Sequence, residues 1–148
     1  MTTVVMASGG FDPLHSGHVR YLNDARRLGT QLVVAINCDA WLIRKKGAAF
    51  MDADERLEIV SALRCVDHAF ILESEFNHVG EAIMNVRPHV FAKGGDRCSL
   101  LDLPIAEVEA CRRVGARIEF NIGGGKIQSS SALVKRAGGD SECKSRRT

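Results

Sequence analysis

Gly9-Gly10-Phe11-Asp12-Pro13-Leu14-His15-Ser16-Gly17-His18 is the stretch on which the reading of this chain turns. It follows an apolar run, Val4-Val5-Met6-Ala7, that predicts a short buried strand. It precedes Val19 to Leu28, where Val19, Leu22, Ala25 and Leu28 recur at helical spacing along one side. A glycine-rich turn from strand to helix aims unpaired backbone N–H groups and the positive end of a helix dipole at one point, and that point suits a phosphate. His15 and His18 lie three residues apart in the same turn, close enough to act on one anion. The turn therefore predicts a nucleoside triphosphate as ligand. Three other roles compete with it. The Gly-x-Gly-x-x-Gly of dinucleotide-binding folds is absent. A zinc pair would need a third ligand at a sensible spacing, and none accompanies these histidines. The histidines could also be ordinary capping or surface residues.

Composition bounds the rest. The 148 residues fit one domain with a real core, and 45% hydrophobic and 26% charged residues are ordinary for a globular protein. A formal net charge of +2 is too small to argue for a nucleic-acid surface. No apolar run approaches the roughly 20 residues of a membrane span. The N-terminus shows no basic segment leading into an apolar signal core, so a cytoplasmic location is expected. Cys38, Cys65, Cys98, Cys111 and Cys143 are scattered, odd in number and never form Cys-x-x-Cys. They read as small buried hydrophobes in a reducing compartment.

Beyond the first helix, which Gly29 is expected to stop, the chain alternates strand and helix signals. Gln31 to Asn37 predicts a second buried strand, His68 to Leu72 a third, His89 to Ala92 a fourth and Ala116 to Ile122 a fifth. Helices are expected after Asp52, as N-cap with Glu55 reaching back, over Asn77 to Val86, and from Pro104 toward Gly115. Arg44-Lys45-Lys46-Gly47 is read as a basic loop projecting from the sheet edge that carries the first glycine turn. Lys93-Gly94-Gly95-Asp96-Arg97 makes a second glycine turn after a strand. Gly123-Gly124-Gly125-Lys126 leads into Ser129-Ser130-Ser131, where one serine would cap a last helix. Five strands alternating with helices predict an α/β fold with a single parallel sheet covered on both faces, its connections right-handed. No internal repeat or linker is visible. The pattern predicts one domain over residues 1–137 and a polar, aperiodic, disordered tail over 138–148.

Phe11-Asp12-Pro13-Leu14-His15-Ser16-Gly17-His18 resembles the His-x-Gly-His signature of the cytidylyltransferase-like nucleotidyltransferase superfamily. Lys46-Gly47, Lys93-Gly94-Gly95-Asp96 and Ser129-Ser130-Ser131 fall in the order and spacing of that family's other motifs. The resemblance implies a Rossmann-like three-layer α/β/α fold with a five-stranded parallel sheet. It also implies a reaction in which a phosphorylated acceptor attacks the α-phosphorus of an NTP and pyrophosphate leaves. By the same resemblance His15, His18 and Lys46 are the expected catalytic residues, and Ser129 to Ser131 lie against the β- and γ-phosphates. Lys93 to Arg97 would lie near base and ribose. Gly9, Gly10, Phe11, Asp12, Gly17, Gly94, Gly95, Asp96 and Lys126 complete the expected nucleotide-binding set. Mg²⁺ is expected to arrive with the triphosphate, with no protein ligand assigned and Asp12 the one candidate. Asp39 and Trp41, after the second strand, are expected to line the acceptor pocket. A homodimer is expected by analogy, with neither nucleic acid nor membrane as partner.

Within the superfamily, Lys46-Gly47 and Phe91-Ala92-Lys93-Gly94-Gly95-Asp96 look most like the adenylyltransferases that activate heptose 1-phosphate with ATP. Glycerol-3-phosphate cytidylyltransferases, which use CTP, are similar in frame but usually carry Arg-Thr-Glu-Gly-Ile before their hydroxyl run. Here that segment is Gly124-Gly125-Lys126-Ile127-Gln128, without the arginine. Arg97 stands where the heptose enzymes tend to have an aromatic, and Gly10 where many members have Thr or Cys. Lys126 to Ser130 also resembles the Lys-Met-Ser-Lys-Ser loop of class I aminoacyl-tRNA synthetases, but the chain is too short for a tRNA-binding module. A nucleotide-binding module without turnover is the reading from another class.

Overall fold

A computed structural model describes residues 1–95, 97, 99–125 and 129–146, with the backbone alone at 139–146. Five strands form one sheet: β1 (Val4–Gly9), β2 (Gln31–Asn37), β3 (His68–Leu72), β4 (Val90–Gly94) and β5 (Arg117–Ile122). Six helices accompany them: α1 (Ser16–Arg26), α2 (Asp39–Lys46), α3 (Ala53–Ser61), α4 (Gly80–Val86), α5 (Ile105–Val114) and α6 (Ser130–Arg146). The strand order is β3-β2-β1-β4-β5 and each pairing is parallel, so β1 is central. The chain winds from β1 toward β3, returns, and winds from β4 toward β5. The crevice at that reversal, outside the carboxyl ends of β1 and β4, is where open α/β sheets place ligands.

Alternation along β1 sorts the core into two layers. Val5 and Ala7 join Leu22, Ala25, Leu32, Val34, Ile36 and Val60 on the face covered by α1 and α3. Met6 joins Ala35, Ala82, Ile83, Phe91, Ala110 and Cys111 on the face covered by α4 and α5. Both faces of the sheet are thus dry at its centre, which is why β1 and β2 read as continuous apolar runs, while the edge strand β5 alternates polar and apolar residues. Cys38 and Cys111 are buried and Cys65 is half-buried, all as free thiols. Burial, with Glu107 nearby, pushes the Cys111 thiol up to about 11, so it packs as an inert hydrophobe.

Several boundaries depart from the sequence expectations. The basic stretch 44–46 is not a loop but the last turn of α2. Asp39 in the first turn and Arg44, Lys45 and Lys46 in the last complement the helix dipole, and Gly47 ends the helix at φ 89°. α4 begins at Gly80 instead of Asn77, because Arg44 draws the preceding segment away by donating to the carbonyls of Ser74 and Phe76. α1 ends before Gly29, whose place is set by close packing: a Cβ there would lie 2.5 Å from the Thr3 carbonyl oxygen. α6 runs on to Arg146, past residue 138 where the apolar periodicity stops.

Candidate active site

The turn after β1 builds an unusual helix cap. His15 is the N-cap of α1, and its Nδ1 accepts from the Gly17 N–H at 3.1 Å. His18 returns the interaction, its Nδ1 accepting from the His15 N–H at 3.2 Å. Two histidines thereby fill the places that a Ser/Thr and a Glu take in an ordinary capping box. Their rings stack with centroids 3.9 Å apart, and Phe11 presents its ring to His18 at 5.1 Å. An Nδ1 that accepts a backbone N–H carries no proton, so the proton of each neutral imidazole sits on Nε2. Burial, then the neighbouring His15 and Lys46, hold the His18 pKa down to about 4. His18 is therefore built as an uncharged N–H donor and not as an imidazolium cation.

These side chains open on a cleft of about 550 Å³ at the carboxyl edge of the sheet. From the β1 turn it is lined by Gly9, Gly10, His15, Gly17 and His18, from α2 by Trp41, Lys45 and Lys46, and from the β4 turn by Lys93, Gly94, Gly95 and Arg97. Gly123 to Gly125 and Ser129 to Ser131 close the far side. Ser129 caps α6, its Oγ accepting from the Ala132 N–H at 3.0 Å, while Ser130 Oγ donates to the Pro13 carbonyl at 2.7 Å. That second bond stitches the start of α6 to the histidine turn. Ser131 is exposed. Two glycines make the approach possible: a Cβ on Gly95 would stand 1.8 Å from the Gly124 carbonyl oxygen, and one on Gly123 2.8 Å from the Tyr21 Cα.

Three expected contacts are placed elsewhere. The Phe11 ring is buried under Gly9 and belongs to the core. Asp12 is buried, with both carboxylate oxygens accepting backbone N–H groups, from Phe50 and Met51, each at 2.6 Å. It therefore fastens the loop after α2 to the β1 turn and is not among the cleft-lining groups. Asp39 is occupied by Arg56, whose Nη2 lies 2.6 Å from Oδ1. Asp96 and Lys126 lie outside the described residues. Gly10 faces Leu42, whose Cδ2 would sit 2.9 Å from an added Cβ.

Several cleft residues escaped the sequence reading. Arg56, fully buried beneath the cleft, donates Nη1 to the Gly10 and Asn37 carbonyls at 2.8 and 2.6 Å and Nε to Met51 O at 3.0 Å. One guanidinium thus ties the ends of β1 and β2 to the start of α3. Tyr21 bridges the reversal point, its hydroxyl donating to Ala92 O at 2.7 Å and accepting from Ser8 N–H at 3.4 Å. Asn37, Asn77, His78 and Glu107 also line the cleft. Trp41, which the sequence did single out, lines the cleft with its Nε1 buried and without a hydrogen-bond partner among the described residues, and Lys45 Nζ sits 5.0 Å above its ring. An arginine or glutamate in an amphipathic helix reads as solvated charge, so Arg56 and Glu107 carried no signal in one dimension.

Comparison with known proteins follows the same outline. A cytidylyltransferase-like family model matches residues 6–120. The chain is 43% identical over 95 residues to a protein named bifunctional protein HldE from Pelobacter propionicus, covering 63% of this chain and 19% of that one. It is 42% identical over 106 residues to the protein of the same name from Streptomyces coelicolor, covering 70% and 22%. The chain therefore spans only a small part of the length of the curated relatives it matches. Among solved structures, a lipopolysaccharide core biosynthesis protein from Thermoplasma volcanium superposes with a TM-score of 0.67 at 30% identity, over 85% of this chain and 100% of that one.

Proposed function

Because this chain belongs to the cytidylyltransferase-like family, we propose that it is a nucleotidyltransferase that moves the NMP of an NTP onto a small phosphorylated acceptor and releases pyrophosphate. One observation supports this reading above all: His15, His18, Lys46 and the capped start of α6 converge on a single cleft at the sheet's reversal point. In-line attack by an acceptor phosphate needs no protein nucleophile. That oxygen is already ionised near neutral pH, so no strong general base is needed either. Catalysis is then positioning and charge stabilisation. The two Nε2–H groups would donate to phosphate oxygens as charge builds on them. Lys46, which forms no ion pair among the described residues, would add the formal positive charge. Ser131 and the N–H groups at the start of α6 would take the terminal phosphates.

The described residues include no group of three or more His, Cys, Asp or Glu able to hold a metal, and the oxygens of Asp12 are taken by amides. This donor set suits Mg²⁺ held chiefly by phosphate oxygens and water, which when bound offsets triphosphate charge. ATP with a sugar 1-phosphate of the heptose type is the proposed substrate pair, in line with the Lys93-Gly94-Gly95 turn. CTP with glycerol 3-phosphate is the alternative pair. The acceptor would enter on the α2 side, beside Trp41, Asn37 and Asn77. A cytoplasmic homodimer completes the proposal, to be checked by light scattering.

A matrix of ATP, CTP, GTP and UTP against sugar 1-phosphates, glycerol 3-phosphate and other small phosphates, scored by pyrophosphate release, tests the reaction. Silence throughout, with NTP binding intact by calorimetry, would favour a binding module without turnover.

A further inference from the structure

Lys93 and Glu107 form the least exposed ion pair among the described residues: their side chains are 14% and 5% exposed, with Nζ 3.3 Å from Oε1. The other carboxylate oxygen, Oε2, accepts the N–H of Val79 at 3.2 Å, at the start of α4. Glu107 itself sits in the first turn of α5, where the helix dipole favours a carboxylate. Lys93 Nζ also lies 5.0 Å above the Phe91 ring. One carboxylate thus gathers the end of β4 and the starts of α4 and α5 at the wall of the cleft.

A buried ion pair is a poor way to hold a fold together, since an apolar pair of similar volume is often as stable or more so. A pair kept on a ligand-facing wall needs another reason. Its charge is internally balanced, unlike that of Lys46. Lys45, Lys46 and Arg97 line the same cleft with no carboxylate partner among the described residues, so phosphate charge would be drawn to them, while the balanced Lys93–Glu107 pair suits an uncharged polar group. An ammonium has three N–H donors, and the described contacts of Lys93 use one of them on Glu107.

We propose that Glu107 is a positioning residue of the nucleotide site, holding the Lys93 ammonium against the wall so that its remaining N–H groups meet acceptor atoms on the ribose-and-base part of the nucleotide. This rests on the NTP reading above. It assigns a role to a helix glutamate outside every motif singled out in the sequence.

The test is calorimetric titration of ATP and CTP, with thermal melts, on the full chain and on Glu107→Gln, Lys93→Met, Lys93→Met/Glu107→Gln and Lys93→Met/Glu107→Leu. Glu107→Gln and Lys93→Met should each weaken NTP binding roughly tenfold, the scale of one charge-assisted hydrogen bond. Glu107→Gln should cost nothing further once Lys93 is Met, because it acts through that lysine. Lys93→Met/Glu107→Leu leaves the Val79 N–H without its acceptor and should melt somewhat lower than the parent, yet still fold and bind as weakly as Lys93→Met. Parent-like affinity in that apolar double variant, or a further tenfold loss from Glu107→Gln in the Lys93→Met background, would overturn the assignment alone. A parent chain that binds no NTP would overturn the nucleotide reading and this one with it.

Discussion

At His18 the nitrogen that would take up a second proton is already engaged, because Nδ1 accepts the His15 N–H. Burial, then the neighbouring His15 and Lys46, bring the folded imidazole to protonate near pH about 4, against 6.5 in the unfolded chain. Between those values the unfolded chain binds more protons than the folded one, so stability should fall as pH drops through that window and stay level above it. Thermal melts at pH 7 and pH 4.5 should show a decrease that His18→Gln reduces. The same geometry sets the catalytic expectation: His18→Ala should lower turnover by roughly a hundredfold, the loss of one preorganised donor. Pyrophosphate release within threefold of the parent would refute that role. Arg56→Met should cost about 3 kcal/mol in urea unfolding, since it strands three backbone carbonyls and the Asp39 carboxylate. That His15 and His18 share one turn at the cleft was legible from their spacing, and the place of Lys46 in the same cleft from the resemblance to the family. Arg56, Tyr21 and Glu107 were not, because what distinguishes them is burial and a partner distant in sequence.

The elements were legible where local chemistry decided them. Asp52 caps α3 by accepting from the Glu55 N–H at 2.9 Å, and Gly115 ends α5 at φ 73°, both as their sequence contexts implied. α2 was misread as a loop because its apolar face is narrow, only Leu42 being buried, so dipole complementarity and not amphipathicity defines it. The start of α4 was misplaced because Arg44, some thirty residues earlier, decides it. The glycine turns had a legible purpose but not a legible partner: nothing in one dimension says that Gly95 lies against Gly124. Gly95→Ala should force those turns apart and weaken NTP binding at least tenfold, as read by titration. Added density at that contact cannot be absorbed, since the neighbour is backbone.

Across the whole molecule, the alternation of apolar runs with helices was enough for the layers and the parallel sheet, while the order β3-β2-β1-β4-β5 came from three dimensions. A ligand that bridges turns from β1, β2, β4 and β5 should brace all of them. At a hundredfold excess over its dissociation constant, an NTP would add about 2.7 kcal/mol. Melting points should rise by several degrees with the preferred NTP and less with the others, a ranking that needs no acceptor. Because β1 is central, α2 and the end of β2 lie on one flank of the cleft and the Lys93-Gly94-Gly95 turn after β4 on the other, with the histidine turn between them. Such a layout divides labour: one flank could be exchanged for that of a relative, and its customers changed, while the machinery on the opposite flank kept its grip.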